Sequence, residues 1–422
     1  MRRGIPLGIL LALVIATGAG GYTFYDLGIG GRVYTGSARG SAMGETGWLS
    51  EENAFSTMLN PATLSILGAP EIEIAYQYNF LQETRAFPAY DSFDALLGYN
   101  IYTANKNYYQ NIAVGFATGA IPRARGLCLG VMYSPVYDFN YGYEEEVRDR
   151  TSSSQPADEL LARAYIIGEG TLNALSFGAA MPLADEAAVG VSVDYVFGSY
   201  DLIERVAYEG GLPETRDTHS ASKQGGVRLR MGGRIEVGER LELGFEATTS
   251  CEMTGDFEAL SDSTVLEYAD AKTTYPASFG IGVRFKPRNE LRGHLEVGMN
   301  YIGWSNYESD FYGDLDLDNV YSWHAGVEHV FYNGMPLRFG LIYTNSPEDE
   351  DIKEAAFTFG TGLEAYGWTV DFSGRIGWQK YRYPDLFDDE MFGVTSREEG
   401  LSWRDEVRET SFSGRLSFAR SF

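Results

Sequence analysis

A 14-stranded antiparallel transmembrane β-barrel, its lumen filled by the chain's own N-terminal segment, is the fold this sequence predicts. Three observations predict it: segments that alternate apolar and polar residues, connections that alternate short and long, and a glycine-rich stretch without alternation ahead of the first strand. Period-two alternation puts successive side chains on opposite faces of a sheet. A membrane barrel turns one such face to lipid and the other to its lumen.

The chain opens with Arg2 and Arg3, then the apolar run Ile5–Ala19, then Gly20 and Gly21. That order is the layout of a secretory signal, so residues 1–21 are expected to be a signal peptide cut near Ala19–Gly21. The run is shorter than the roughly 20 apolar residues a membrane helix needs. No cysteine follows it, which removes a lipid-anchored start. No later run is long enough for a membrane helix, and the mean hydropathy of −0.21 excludes a helical membrane protein. Barrel strands average to that value because half of their residues face water. Only Cys128 and Cys251 are present, so no disulfide framework exists. The net charge of −26 repels phosphate backbones and argues against nucleic acid as a partner. The acid gathers in predicted loops, at 144–146, 348–351 and 388–390.

The first strand is the clearest. Over 71–82, Ile72, Ile74, Tyr76, Tyr78 and Phe80 share one face, and Glu71, Glu73, Ala75, Gln77 and Asn79 the other. Over 226–237, Val227, Leu229, Met231 and Ile235 oppose Arg228, Arg230 and Arg234. Over 278–286, Phe279, Ile281, Val283 and Phe285 oppose Gly280, Gly282, Arg284 and Lys286. The same pattern predicts strands near 110–119, 126–140, 172–181, 187–200, 241–252, 291–303, 321–332, 335–344, 355–365, 368–381 and 410–422. Connections after even strands are short, as at 238–240 and 333–334. Those after odd strands are long: 83–109, 141–171, 201–224, 253–277 and 382–409. Short periplasmic turns, long outer loops and both ends periplasmic are the habit of outer-membrane barrels. The aromatics Tyr137, Phe139, Tyr195, Phe197, Tyr301, Trp304, Tyr321, Trp323, Trp378 and Tyr381 fall near the predicted outer ends, as an interfacial girdle does. The final strand sets Phe412, Leu416, Phe418 and Phe422 against serines and Arg415, and its terminal Phe resembles the recognition signal of bacterial outer-membrane proteins.

Residues 22–70 do not alternate. Glycines and apolar residues such as Met43, Trp48, Phe55 and Leu64 predict a packed plug with one short helix around 51–58, ahead of a barrel over 71–422. The stretch Ala38–Gly47, leading through Glu51-Glu52-Asn53-Ala54 to Asn60-Pro61-Ala62-Thr63-Leu64, resembles the hatch of FadL-type outer-membrane transporters. The segments from Tyr275 to Gly282, and from Leu337 to Tyr343 with Asn345-Ser346-Pro347, are similar to later strands of that family. The resemblance implies an outer-membrane passage for hydrophobic molecules, such as long-chain fatty acids or aromatic hydrocarbons, with release sideways through a gap in the wall. A related branch serves as a surface-protein shuttle in secretion, so a non-transporting barrel that shuttles or anchors a partner at its outer loops is the alternative.

Several residues are candidates for function. Pro135, inside the third strand, cannot donate to the ladder and marks a candidate lateral gap. Asn60, Pro61 and Ala62 are expected to end the plug's helical piece. Arg228, Arg230, Arg234, Arg284 and Arg338 face the lumen, where they hold either a ligand carboxylate or the acids Asp194, Glu236, Glu242, Glu296, Glu328 and Asp371. The acidic run 314–319 lacks the glycine and distal glutamate of a calcium loop. Four scattered histidines suggest no catalytic constellation. No enzyme, cofactor or metal is expected; lipid and a hydrophobic ligand are the expected partners.

Overall fold

The computed structural model describes residues 28–90, 93, 95–149, 159–209, 216–261, 264–287, 292–313, 315–387, 392 and 404–422. The expected signal peptide lies outside the described residues. The strands are β1 Glu71–Tyr90, β2 Leu96–Ala117, β3 Cys128–Asp138 continued by Tyr141–Asp149, β4 Glu159–Ala184, β5 Ala187–Tyr208 and β6 Arg216–Val237. Next come β7 Leu241–Thr248 continued by Cys251–Ser261, and β8 Thr264–Tyr275 continued by Ser278–Phe285. The circuit is completed by β9 Arg292–Ile302, β10 Val320–Val330, β11 Pro336–Asn345, β12 Lys353–Ala365, β13 Trp368–Tyr383 and β14 Asp405–Ser421. Each is antiparallel to its neighbours, and β14 pairs with β1 from Ser421 opposite Glu71 to Glu406 opposite Ala86, which closes the barrel.

The two faces are inverted relative to a water-soluble protein. On β6, Leu229 and Met231 are 52% and 56% exposed, whereas Arg230 between them is 5% exposed. The same holds for Ile281 and Val283 around Arg284 in β8, and for Leu295 and Val297 around Glu296 in β9. Exposed aliphatic side chains flanking buried charges are stable only where the outer solvent is lipid.

Three expectations need correction. The long outer connections are in large part strand: β1 and β2 continue through 83–90 and 96–109, and β4 and β5 continue through 159–171 and 201–208. Alternation is lost there because the outer face has left the membrane, with Gln82 and Thr84 succeeding Phe80 on β1, so hydropathy stops reporting the period. Second, Tyr137, Phe139, Trp304 and Tyr381 do not join the lipid-facing girdle but are buried inside. A bulge between Pro135 and Tyr137 switches the face on which later residues of β3 point, and Trp304 turns inward on the short helix Trp304–Asn306. Tyr195, Tyr321, Trp323 and Trp378 are exposed on the outside. Third, β3 does not end near 140: after a break at 139–140 it resumes as Tyr141–Asp149, inside the expected loop 141–171.

Residues 28–67 touch strands all round the circuit and so lie within the lumen. They form short pieces: helices Ala38–Ala42 and Gly47–Ser50, then tighter turns Ala54–Met58 and Pro61–Ile66. Ser37 caps the first piece, accepting from Gly40 N at 3.2 Å. Glu51 draws the segment together by accepting from Ser37 N (2.7 Å) and Tyr34 Oη (3.0 Å). Asn60 begins a turn rather than only ending one: its Oδ1 accepts from Ala62 N at 3.2 Å, and its Nδ2 donates to Trp48 O (2.8 Å) and Gly233 O (3.1 Å). Pro61 then takes the first position, where a missing N–H costs nothing.

The wall makes room for this segment with glycine. Every strand from β2 to β12 has one on its inner face at this height, from Gly115 under Phe55, through Gly190 under Pro61 and Gly280 under Trp48, to Gly360 under Ala42. At Gly340 the close neighbour is the backbone of Gly44, which cannot move aside as a side chain can. Gly340→Val is therefore expected to unseat the segment while the barrel still closes. Limited proteolysis checks it: cleavage ahead of residue 70 in a barrel that keeps its heat-modifiable gel mobility.

Candidate functional site: lumen, plug and wall interval

Under the plug, inward charges of alternating sign run along the wall from β6 to β13. Arg234 pairs with Glu242 and Glu236, and Arg284 with Glu242 (3.1 Å), Glu296 (2.7 Å) and the plug's Glu52. His294 lies between Glu296 (3.1 Å) and Glu328 (3.6 Å), and Arg338 joins Glu328 (2.6 Å) to Asp371 (2.5 Å). The plug is tied into this girdle. Arg39 reaches Glu328 at 3.3 Å, Thr46 Oγ1 donates to Glu296 at 2.6 Å, and Arg284 also donates to Leu49 O. On the far side, Arg415 donates to the carbonyls of Tyr34 and Gly36.

Above the plug the lumen opens into a cavity of about 240 Å³. Trp48, Met58, Val136, Tyr137, Ile302 and Trp304 give it an apolar wall, and Arg32, Arg228, Arg230, Glu45 and His324 line the rest. The aromatic part is closely packed, with Tyr137 against Tyr275 at 4.5 Å between ring centres and Trp304 against Tyr307 at 5.9 Å. Of the five candidate lumen arginines, Arg228 and Arg230 reach this cavity, and both are ion-paired: Arg228 with Asp194 (2.9 Å), Arg230 with Glu246 (3.2 Å) and Asp194 (3.3 Å). Arg234, Arg284 and Arg338 belong to the girdle below.

Beside the cavity the wall is incomplete. Backbone pairing between β2 and β3 is confined to the stretch from Val114 opposite Tyr133 to Ala117 opposite Gly130. Beyond Tyr133, at Ser134 and Pro135, β3 parts from β2. Its inner edge is taken instead by the plug, with Gly31 opposite Asp138, Arg32 opposite Tyr137, and Val33 N donating to Val136 O at 3.0 Å. Higher up, side chains replace the ladder: Asn107 Oδ1 accepts from Gly142 N (2.7 Å), and Thr103 Oγ1 donates to Glu144 O (2.6 Å). Pro135 thus sits where the ladder from β2 through β3 to β4 is interrupted on its β2 side, while its β4 side stays paired with Asn173.

The remaining candidates stay apart. His219 meets Asp201 at 3.3 Å, His324 meets Gly44 O at 2.7 Å, and His329 stacks edge-on with Phe331. Cys128 and Cys251 are free thiols, and among the described residues no group of three or more metal-ligating side chains comes together. Arg32 and Glu45 were not singled out from the sequence, and Trp48 only as one of the apolar residues of a packed plug. They lie in the plug, where no period reports orientation; a charge set among glycines and apolar residues was the available signal.

A family profile described as BamG matches residues 9–373. The chain belongs to the BamG family. Among solved structures it is similar to a FadL homologue of Pseudomonas aeruginosa, with 13% identity and a TM-score of 0.65 over 93% of this chain and 100% of that one. It is also similar to the toluene transporters TodX of Pseudomonas putida (14%, 0.56) and TbuX of Ralstonia pickettii (14%, 0.57), each over 92% of this chain and 99% of theirs. At these identities the likeness is one of fold, so the resemblance read from the sequence holds as a FadL-type barrel. No curated protein matches the chain.

Because Arg284 is 2% exposed and joins three carboxylates, Arg284→Met leaves Glu242 to Arg234 and Lys286, Glu52 to Arg39 and Glu296 to His294, and removes the cation that links them. Removing one member of such a buried network costs about 3–5 kcal/mol. The expected outcome is a clear fall in the unfolding midpoint in denaturant, larger than for Arg228→Met, whose Asp194 keeps Arg230.

Proposed function

We propose that this chain is a bacterial outer-membrane channel for small hydrophobic molecules, which enter the lumen from outside and leave sideways between β2 and β3. The observation that carries the reading is the cavity of about 240 Å³, apolar on one side and charged on the other, lying beside the stretch of wall that lacks a backbone ladder. An apolar face beside placed polar groups can hold and orient a small molecule. The girdle blocks the direct way down, because passage there would break paired buried charges. Sideways exit needs only the displacement of Gly31–Val33 from the edge of β3. The toluene transporters that share the fold support this reading, as does the lipid-facing band. Of the five inward arginines, Arg284 holds the plug through Glu52 and Leu49 O, Arg234 and Arg338 are held by wall carboxylates, and Arg228 and Arg230 line the cavity.

A double substitution tests the exit. Gly142 N lies 2.7 Å from Asn107 Oδ1, so Asn107→Cys with Gly142→Cys places two thiols across the interval. Oxidation is expected to slow uptake of toluene into proteoliposomes severalfold, and a reductant to restore it. Uptake indifferent to the bridge places the exit elsewhere.

A second reading, a barrel that carries a partner protein at the cell surface, is favoured by one observation. On the β1–β2 hairpin, beyond the lipid-facing band, Phe93, Leu97 and Ile101 are 86%, 70% and 66% exposed. Apolar groups grouped there point to a protein contact. A photo-crosslinking residue at Leu97 is expected to trap one discrete protein in intact outer membranes if this reading holds, and only lipid or nothing if the barrel works alone.

A further inference from the structure

The cavity does not end at its apolar wall. It shares Arg32, Tyr34, Glu45 and Arg375 with a second cavity of about 280 Å³, whose other walls mix polar residues, including Asn79, Gln379, Glu409 and Ser411, with apolar ones such as Leu81 and Phe80. The lumen above the plug is therefore one amphipathic chamber. One end lies toward the wall interval, where Trp48, Met58 and Ile302 form an apolar face, and the other toward β1, β13 and β14.

The charges at the junction are unequal in their company. Arg228 and Arg230 have Asp194 and Glu246, and Arg375 has Glu354 at 2.7 Å. Among the described residues, Arg32 has no carboxylate oxygen within 4.0 Å; its Nη1 donates at 2.7 Å to the side-chain oxygen of Asn300, whose amide nitrogen donates to Phe279 O. Glu45 likewise has no cation within 4.0 Å. Two flexible, oppositely charged side chains facing one cavity would ordinarily meet, and here the backbone holds them apart. Arg32 is fixed by its pairing with Tyr137 on β3. Glu45 is fixed at a φ of 61°, directly after Gly44, which is pressed against Gly340. A non-glycine residue kept in the left-handed region costs energy, and such residues gather at ligand sites.

We infer that the chamber binds a zwitterionic amphiphile. Its head carries one acidic group for Arg32 and one ammonium for Glu45, and its tail lies against Trp48, Met58 and Ile302. This inference rests on the channel reading and narrows its substrate class. Arg32 is exposed to the chamber and Glu45 half-buried at its wall, so both are open to a ligand, and one of reversed polarity satisfies both at once with charge-assisted hydrogen bonds. A purely anionic ligand leaves Glu45 facing like charge, and a purely cationic one leaves Arg32 so.

The test uses the full chain in nanodiscs at neutral pH and four ten-carbon probes: 2-aminodecanoic acid, decanoic acid, decylamine and 1-decanol. Binding is read by calorimetry and by quenching of tryptophan fluorescence, since Trp48 and Trp304 line the chamber. The amino acid is expected to bind at least tenfold tighter than the other three. Arg32→Gln and Glu45→Gln should each abolish that advantage, while Arg32→Lys retains part of it. Heat-modifiable mobility reports whether each variant is folded. Should decanol bind as tightly as aminodecanoate, with both variants unchanged, the inference falls and the channel reading stands. Decanoate matching aminodecanoate, with Glu45→Gln silent, also overturns it in favour of an anion site. If no probe binds above partition into empty nanodiscs, both the inference and the channel reading fall.

Discussion

The closeness with which plug and wall approach one another sets the rest of this structure. Each strand from β2 to β12 gives up a side chain at one height, so that the plug's backbone and apolar residues lie directly on the sheet. That contact fixes where the floor of the lumen lies. It also brings Glu52, Arg39 and Thr46 within reach of the inward charges below. Without the glycines, the plug would ride higher and the girdle would face an open pore.

From that seat the chemistry divides by level. Below, charges are numerous and matched, which suits a closed floor: a buried charge with several partners is stable only while all remain in place. Above, the chamber combines aromatic walls with charges that are partly unmatched, which suits a place where something binds and leaves. The break between β2 and β3 belongs to the upper level. The four paired residues of each strand that survive, Val114–Ala117 with Gly130–Tyr133, lie beside the plug's 54–58 turn, and the ladder is lost above it.

The same residue, Pro135, was marked in the sequence for a missing donor and proves to sit at a bulge. Its larger effect is on facing. By adding one residue to β3 the bulge turns Tyr137 and Phe139 from the lipid to the lumen, where Tyr137 pairs with the plug's Arg32 and Phe139 stacks on Tyr200 at 3.9 Å. Part of the chamber's apolar wall thus arises from a local irregularity in a regular pattern.

The sequence by itself determined the strand count, the inside and outside of each strand within the membrane, and the existence of a packed segment ahead of them. These follow from hydropathy at period two, which the lipid imposes on every spanning strand residue by residue. It left the outer ends of the strands undefined, because β1 and β2 above Phe80 and Tyr108 meet water on the outside and the period carries no signal there. Tertiary structure alone decided the face on which β3 points after its bulge, the pairing of the inward arginines, and the placement of Arg32 and Glu45 across one chamber. Those outcomes depend on which strands become neighbours on closure and on how deep the plug sits, distances in space that no spacing along the chain encodes.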